Sequence, residues 1–210
     1  MAYLWLAKSS STTIQALTGH SEHTISDYRR HIMQLVGSSL DDEDTTIGGP
    51  EIIVEVDETK LGKRKYNRGH RVKGVWLLVG VERTERTKAF MISIEKRDSD
   101  TLITAILHHV KPGSIIHTDM WKGYSLLSQN GFAHRTVNHS QFFVNPESGV
   151  HTNTVEGTNH GLKISIAPRN RTADTVDDNL VAFIWRRKHK RDLWNGLLSA
   201  LRDVGYPEEI

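Results

Sequence analysis

Three acids in this sequence fall where carboxylates can do chemistry. Asp57 closes the apolar run IIVEV, Asp119 closes SIIHT, and Glu156 lies in HTNTVEGTNHGLK, where Val155, Leu162 and Ile166 keep helical spacing. A carboxylate at the carboxyl end of a strand projects into the crevice where open α/β sheets bind ligands. If the two strands are neighbours, Asp57 and Asp119 share that crevice, and a helix crossing the strand ends adds Glu156. Hard oxygen ligands of this kind suit two Mg²⁺ ions about 3.5–4 Å apart, with Mn²⁺ as a substitute, and such a pair serves phosphodiester chemistry by activating one oxygen and stabilising another. The chain holds 25 acidic residues, so some pair at any chosen spacing arises by chance. Taken singly, each of the three reads equally as a strand cap, a turn residue or a solvated helix residue. Their weight is joint, because three separate segments put acids where one architecture would gather them. Mutual repulsion of the carboxylates predicts a site only partly formed without metal.

The elements that must position these acids are legible from periodicity. From Glu51 onward IIVEV, VWLLVGVE and KAFMISIE are three β-branched or aromatic runs in succession, which predicts an antiparallel meander. Ser99 to Val110 has helical spacing and is stopped by Pro112-Gly113. SIIHT follows as a short buried strand, Gly123 to Ser128 as a further helix, HRTVNH as a fifth strand, and the remainder is helical apart from a break at Pro168. Three strands, helix, strand, helix, strand and then helices is the order of a ribonuclease-H-like α/β fold, a mixed sheet flanked by helices; order alone leaves other α/β topologies open.

Ahead of this lies a helical unit over residues 1–40. Ala2 to Lys8 and Ser11 to Leu17 read as short helices, Gly19 as a C-cap, and Ser21 as the N-cap of a third helix with Ile25, Tyr28, Ile32 and Leu35 on one face. The arrangement fits a helix-turn-helix, and equally a helical hairpin packed on the main domain. Residues 41–50 lose all periodicity and read as a linker, leaving 51–210 as the catalytic domain.

The 210 residues, 37% of them hydrophobic, supply one sizeable core. No apolar run approaches the roughly 20 residues of a membrane span, and the first residues carry no leader pattern, so an intracellular protein is expected. Cysteine is absent, which excludes disulfides, cysteine-based zinc sites and thiol nucleophiles. A net charge of +2 does not by itself announce a nucleic-acid binder. Its distribution says more: Lys60, Lys63, Arg64, Lys65, Arg68, Arg71 and Lys73 form a run without acids, and Arg186, Arg187 and Lys188 open a second one. Such blocks neutralise phosphates, or else are solvated loops and helix ends.

The strings VEVDETKLGKRK, IHTDMWKGY, VNHSQFFVNPESGVHTNTVEG and PRNRT with FIWRRKHKRDLW resemble those of Merlin-type DDE transposases and their bacterial ISXO-like relatives. The resemblance covers roughly residues 51–204, and the interval from Asp119 to Glu156 is the one such transposases show. It implies a catalytic, metal-binding triad of Asp57, Asp119 and Glu156, holding two Mg²⁺ ions for cleavage and strand transfer at transposon ends. Trp121, Gly123 and Tyr124 match the aromatic segment after the second Asp, and His139, Ser140, His151 and Asn153 match polar positions flanking the Glu. Duplex DNA is the implied partner, held by Lys60, Lys63, Arg64, Lys65, Arg71, Lys163, Arg169, Arg171, Arg186, Arg187 and Lys188, with a homodimer or larger assembly to cut two ends. The implied compartment is the nucleus in a eukaryotic host and the cytoplasm otherwise. Two departures stand out. Relatives commonly carry Trp where this chain has Asn159, and the chain starts at the helical unit without the cysteine-bearing segment often seen ahead of it. Both leave open a domesticated copy that binds DNA without cutting it; a hybrid-specific nuclease and a non-catalytic scaffold are further alternatives.

Overall fold

Along IVEVDETKL every second side chain turns to the same face, so one strand presents Val54, Val56 and Glu58 to one side and Glu55, Asp57 and Thr59 to the other. That strand is the centre of the molecule. The computed structural model describes residues 1–62, 74–138 and 141–204. These divide into two compact units, Met1–Asp41 with the chain from Trp185 onward, and Asp42–Ile184.

Among its described residues the larger unit holds seven strands: β1 (Ile47–Gly48), β2 (Ile53–Leu61), β3 (Val75–Glu82), β4 (Ala89–Ile94), β5 (Val110–Lys111), β6 (Ile115–Asp119) and β7 (Ala133–Val137). Five of them form one sheet in the order β4-β3-β2-β6-β7. β2, β3 and β4 are an antiparallel meander, while β6 pairs parallel to β2 and β7 parallel to β6. This is the mixed, ribonuclease-H-like sheet the element order predicts. The strand central in the order is also the one carrying Asp57, so its neighbours on both sides are paired.

Eight α-helices complete the described chain: α1 (Ala2–Leu6), α2 (Ser11–Thr18), α3 (Glu22–Ser38), α4 (Asp42–Thr45), α5 (Ser99–His109), α6 (Asn153–Ser165), α7 (Ala173–Lys188) and α8 (Leu193–Arg202). α5 begins on Asp98, whose carboxylate accepts the Thr101 N–H at 2.9 Å, and lays Leu102, Ile103 and Ile106 on the sheet. There they join Val54, Val56, Leu78, Phe90, Ile94 and Ile116 in the core. α6 covers the opposite face, against β2 and β3. Burying Val155, Leu162 and Ile166 there is the apolar burial that holds it, of order 2 kcal/mol per side chain.

Two expectations change. The Gly123 to Ser128 stretch is not one helix but two 3₁₀ turns, Lys122–Tyr124 and Ser128–Asn130, because Gly123 and Gly131 break any longer run. The 41–50 stretch is structured: it holds α4, and β1 pairs parallel to β5 with Ile47 buried in the core.

In the smaller unit α2 and α3 start on serine caps, Ser10 accepting the Thr13 N–H at 3.0 Å and Ser21 the Thr24 N–H at 3.1 Å. Gly19 ends α2 in the left-handed region, where a side chain would be strained. Ile25, Ile32 and Val36 are the buried stripe of α3, and Trp5 packs on Trp185 with ring centroids 6.0 Å apart. No helix among the described residues is long and apolar enough to cross a membrane.

Candidate active site

Asp57 lies in the middle of β2, not at its end. The strand runs on to Leu61 because it keeps pairing with β3 as far as Leu61 opposite Val75. Its other neighbour stops earlier. β6 pairs with β2 in the register Ile53–Ile115, Val54–Ile116 and Glu55–His117, and continuing that register by two residues aligns Asp57 with Asp119, the last residue of β6. Asp57 therefore sits where β6 lets go of β2, which opens a crevice beside an unbroken strand.

Glu156 lies in the first turn of α6, on the helix that covers the Asp57 face. One turn further on, buried Asn159 donates from Nδ2 to Asp57 Oδ2 at 2.8 Å. Asp119 Oδ1 accepts the Trp121 backbone N–H at 2.9 Å, and Glu156 Oε1 accepts from the Thr152 hydroxyl at 3.0 Å. Each acid thus accepts a hydrogen bond that helps to fix it. Among the described residues no trio of His, Asp or Glu side chains stands at metal-holding distance as it lies.

Burial pushes the Asp57 carboxyl up to about 7, and the charges of Glu58, Asp119 and Glu156 push the same way against the Asn159 hydrogen bond. Negative charge is therefore concentrated around Asp57 with no cationic side chain among its leading influences. A hard divalent cation relieves that crowding, and the donor set of three carboxylates is the kind such cations take. In this respect Asp57, Asp119 and Glu156 fit the metal that the sequence implies.

The flanking residues divide. His151 faces inward: its Nδ1 is 2.8 Å from Arg83 Nη2 and 3.4 Å from Glu55 Oε1. Asn153 is the exposed first residue of α6. Trp121 is half-exposed, with its ring 4.7 Å from the Arg97 guanidinium. A Cβ on Gly123 would meet the Trp121 ring at 2.6 Å, so only glycine lets the indole lie there. Tyr124 is buried, and burial together with Glu58 pushes its hydroxyl well above the usual range. His139, and the basic residues Lys63, Arg64, Lys65 and Arg71, lie outside the described residues.

The remaining basic residues are not equivalent. Arg171 donates to the Lys163 and Ile166 carbonyls (2.9 Å to the latter), closing the end of α6. Arg186 donates to the Leu6 and Trp5 carbonyls at 2.9 and 2.6 Å and stacks over the Trp5 ring at 4.2 Å, closing the end of α1. Both guanidinium groups are committed to helix ends, where carbonyls lack partners of their own. Lys60 lies over the Trp76 ring at 5.2 Å and Arg187 is partly buried, while Lys163, Arg169 and Lys188 are exposed.

The sequence reading passed over Glu55, Glu58, Arg83 and Arg97. Glu55 is fully buried and pairs with Arg83; Glu58 is nearly so and pairs with Arg97 at 2.7 Å. The available signal was two glutamates inside an otherwise apolar strand, on either side of Asp57. Asn159, which stands where relatives commonly carry Trp, is the hydrogen-bond partner of Asp57.

An uncharacterized transposase-like protein of Haemophilus influenzae is 34% identical over 58 residues, covering 28% of this chain and 47% of that relative. The match thus spans about half of that curated relative. The profile of the ISXO2-like transposase domain matches residues 46–174, more than half of the chain, from β1 through the α6 helix and into the start of α7. With that sheet order and that span in agreement, the chain belongs to the ISXO2-like family of DDE transposase domains.

Proposed function

We propose that this chain cuts DNA at transposon ends and joins the freed ends to target DNA, with Asp57, Asp119 and Glu156 as the metal-binding catalytic residues. The observation that carries the reading is the β2–β6 register, which aligns the two aspartates at the mouth of the crevice while α6 brings Glu156 over the same face. Two Mg²⁺ ions bound there would supply the Lewis acidity that activates the attacking oxygen and stabilises the leaving one. The protein's own part is positional. β2 and β6 bring the aspartates side by side, Asn159 holds Asp57, and Thr152 holds one oxygen of Glu156. Lys60, Lys163, Arg169, Arg187 and Lys188 hold phosphates, with the helical first unit contributing to recognition of the ends. Concerted cutting of two ends calls for a homodimer or a larger assembly.

The test is strand cleavage of a duplex bearing the element's own ends, in Mg²⁺, by wild type and by Asp119→Asn. Wild-type nicking lost by at least a thousandfold in the variant is the expected result. Equal nicking by both removes the assignment of Asp119. Salt-sensitive binding without cleavage by wild type favours the DNA-binding derivative instead.

A further inference from the structure

We propose that Glu55 and Arg83, with His151, are positioning residues that set the spacing between Asp57 and Glu156; this rests on the catalytic reading above. The Thr152 side chain, at the N-cap of α6, does not accept from a first-turn N–H; its hydroxyl donates to Glu156 Oε1 instead, and the flanking His151 Nδ1 takes only the Asn153 N–H, at 3.4 Å. The unpaired N–H groups of a first turn must then find acceptors elsewhere. They find Glu55: its Oε2 accepts from Thr154 N at 2.7 Å and from Val155 N at 2.9 Å, about a hundred residues away in the chain. A carboxylate there also opposes the positive end of the helix dipole.

The opposite oxygen of Glu55 takes the Arg83 guanidinium, whose Nη2 donates to the His151 carbonyl at 2.7 Å and contacts the His151 ring at 2.8 Å. Arg83 therefore ties the segment entering α6 to the same carboxylate that caps the helix. His117, opposite Glu55 on β6, adds a further contact to the same guanidinium, its Nδ1 lying 3.4 Å from Arg83 Nη2.

A buried ion pair is a poor device for stability alone, because desolvation cancels much of its attraction. Its location gives it another use. Glu55 is two residues before Asp57 on the same face of β2, about 7 Å along the strand, and Val155 immediately precedes Glu156. One side chain thus links the backbone on which one metal-binding acid stands to the backbone on which another stands. Sliding or tilting of α6 would move Glu156 relative to Asp57, and this bond opposes both.

The experiment uses the full chain with Glu55→Gln, which keeps the shape and an acceptor oxygen but removes the charge. Three readouts are taken: amide hydrogen exchange in metal-free protein, Mn²⁺ titration, and DNA binding. The expected result is at least tenfold faster exchange at Thr154 and Val155 with β3 amides unchanged, Mn²⁺ affinity lowered about tenfold to a hundredfold, and DNA affinity unaltered. Wild-type exchange at Thr154 and Val155 together with wild-type Mn²⁺ affinity overturns the proposal. Should Glu55→Gln not fold, His151→Asn leaves the ion pair intact and is read in the same way, with a severalfold change expected and no change overturning it. If wild type itself binds no Mn²⁺, the catalytic reading fails, whereas the exchange at α6 still decides whether Glu55 fixes the helix.

Discussion

Glu55 and Glu58 stand three residues apart on β2, on opposite faces, and each meets an arginine that follows a strand of the same sheet, Arg83 after β3 and Arg97 after β4. Their surroundings differ. Glu55 is engaged by two backbone N–H groups and by Arg83, with the His151 ring beside it. Glu58 has Arg97 on Oε2, while its Oε1 and the Tyr124 hydroxyl are buried with no hydrogen-bond partner among the described residues. Arg97 in turn is layered between Trp76 at 4.2 Å and Trp121 at 4.7 Å. The strongest charge acting on Asp57 is Glu58, not Glu55, although Glu55 shares its face. The same pair of residue types thus serves two ends: around Glu55 charge is engaged in holding a helix, whereas Glu58, although paired with Arg97, still adds to the negative charge acting on Asp57.

Removing the two arginines separates these roles. Arg83→Met leaves Glu55 buried without its counter-ion and should cost about 3–5 kcal/mol in urea unfolding. Arg97→Met should cost somewhat less, about 2–3 kcal/mol, since Arg97 is more open to solvent than Arg83 (31% against 21%) and Glu58 is slightly less buried than Glu55. Equal losses would erase the distinction.

The next largest effect is a pH dependence. Asp57 titrates near 7 in the folded chain against an ordinary value of 3.8. The folded state therefore holds that proton more tightly, so the stability it contributes is fully present below about pH 4 and is lost as pH rises to 7. In chelator, Asp57→Asn should be more stable than wild type by up to about 4 kcal/mol at pH 8, with the gain shrinking as pH falls from 7 towards 4. Glu58→Gln should lower the upper edge of this window and Glu55→Gln leave it in place; thermal unfolding across pH distinguishes them. The smallest effect is Trp121→Ala, which removes one layer from Arg97 and should cost roughly 0.5–1 kcal/mol, measurable only by careful denaturant titration.

Much of the fold was legible because strands with alternating or continuous apolar residues and capped helices report on local physics. The meander β2 to β4, helix α5 from its Asp98 cap, and the Ser21 and Gly19 helix ends were all within reach of periodicity and capping. The length of β2 was not, since its last four residues are held by β3 across a sequence gap, and nothing local distinguishes DETKL from a turn. Asp119 closes its strand and Glu156 lies in its helix as the segments suggest, whereas Asp57 falls mid-strand rather than at a strand end; how those segments lie relative to one another is a matter of strand register. Arg83 was invisible for a different reason. It sits in the charged turn sequence ERTERTK, and only the arrival of α6 from far along the chain selects it over its neighbour Arg86.

The central claim is that three carboxylates from separate segments act as one divalent-cation site. Mn²⁺ titration of the wild-type chain, followed by its paramagnetic resonance signal, addresses this beside Asp57→Asn, Asp119→Asn and Glu156→Gln. Saturable binding by wild type that weakens at least tenfold in each of the three folded variants is the predicted result. Binding that survives unchanged in all three would contradict it.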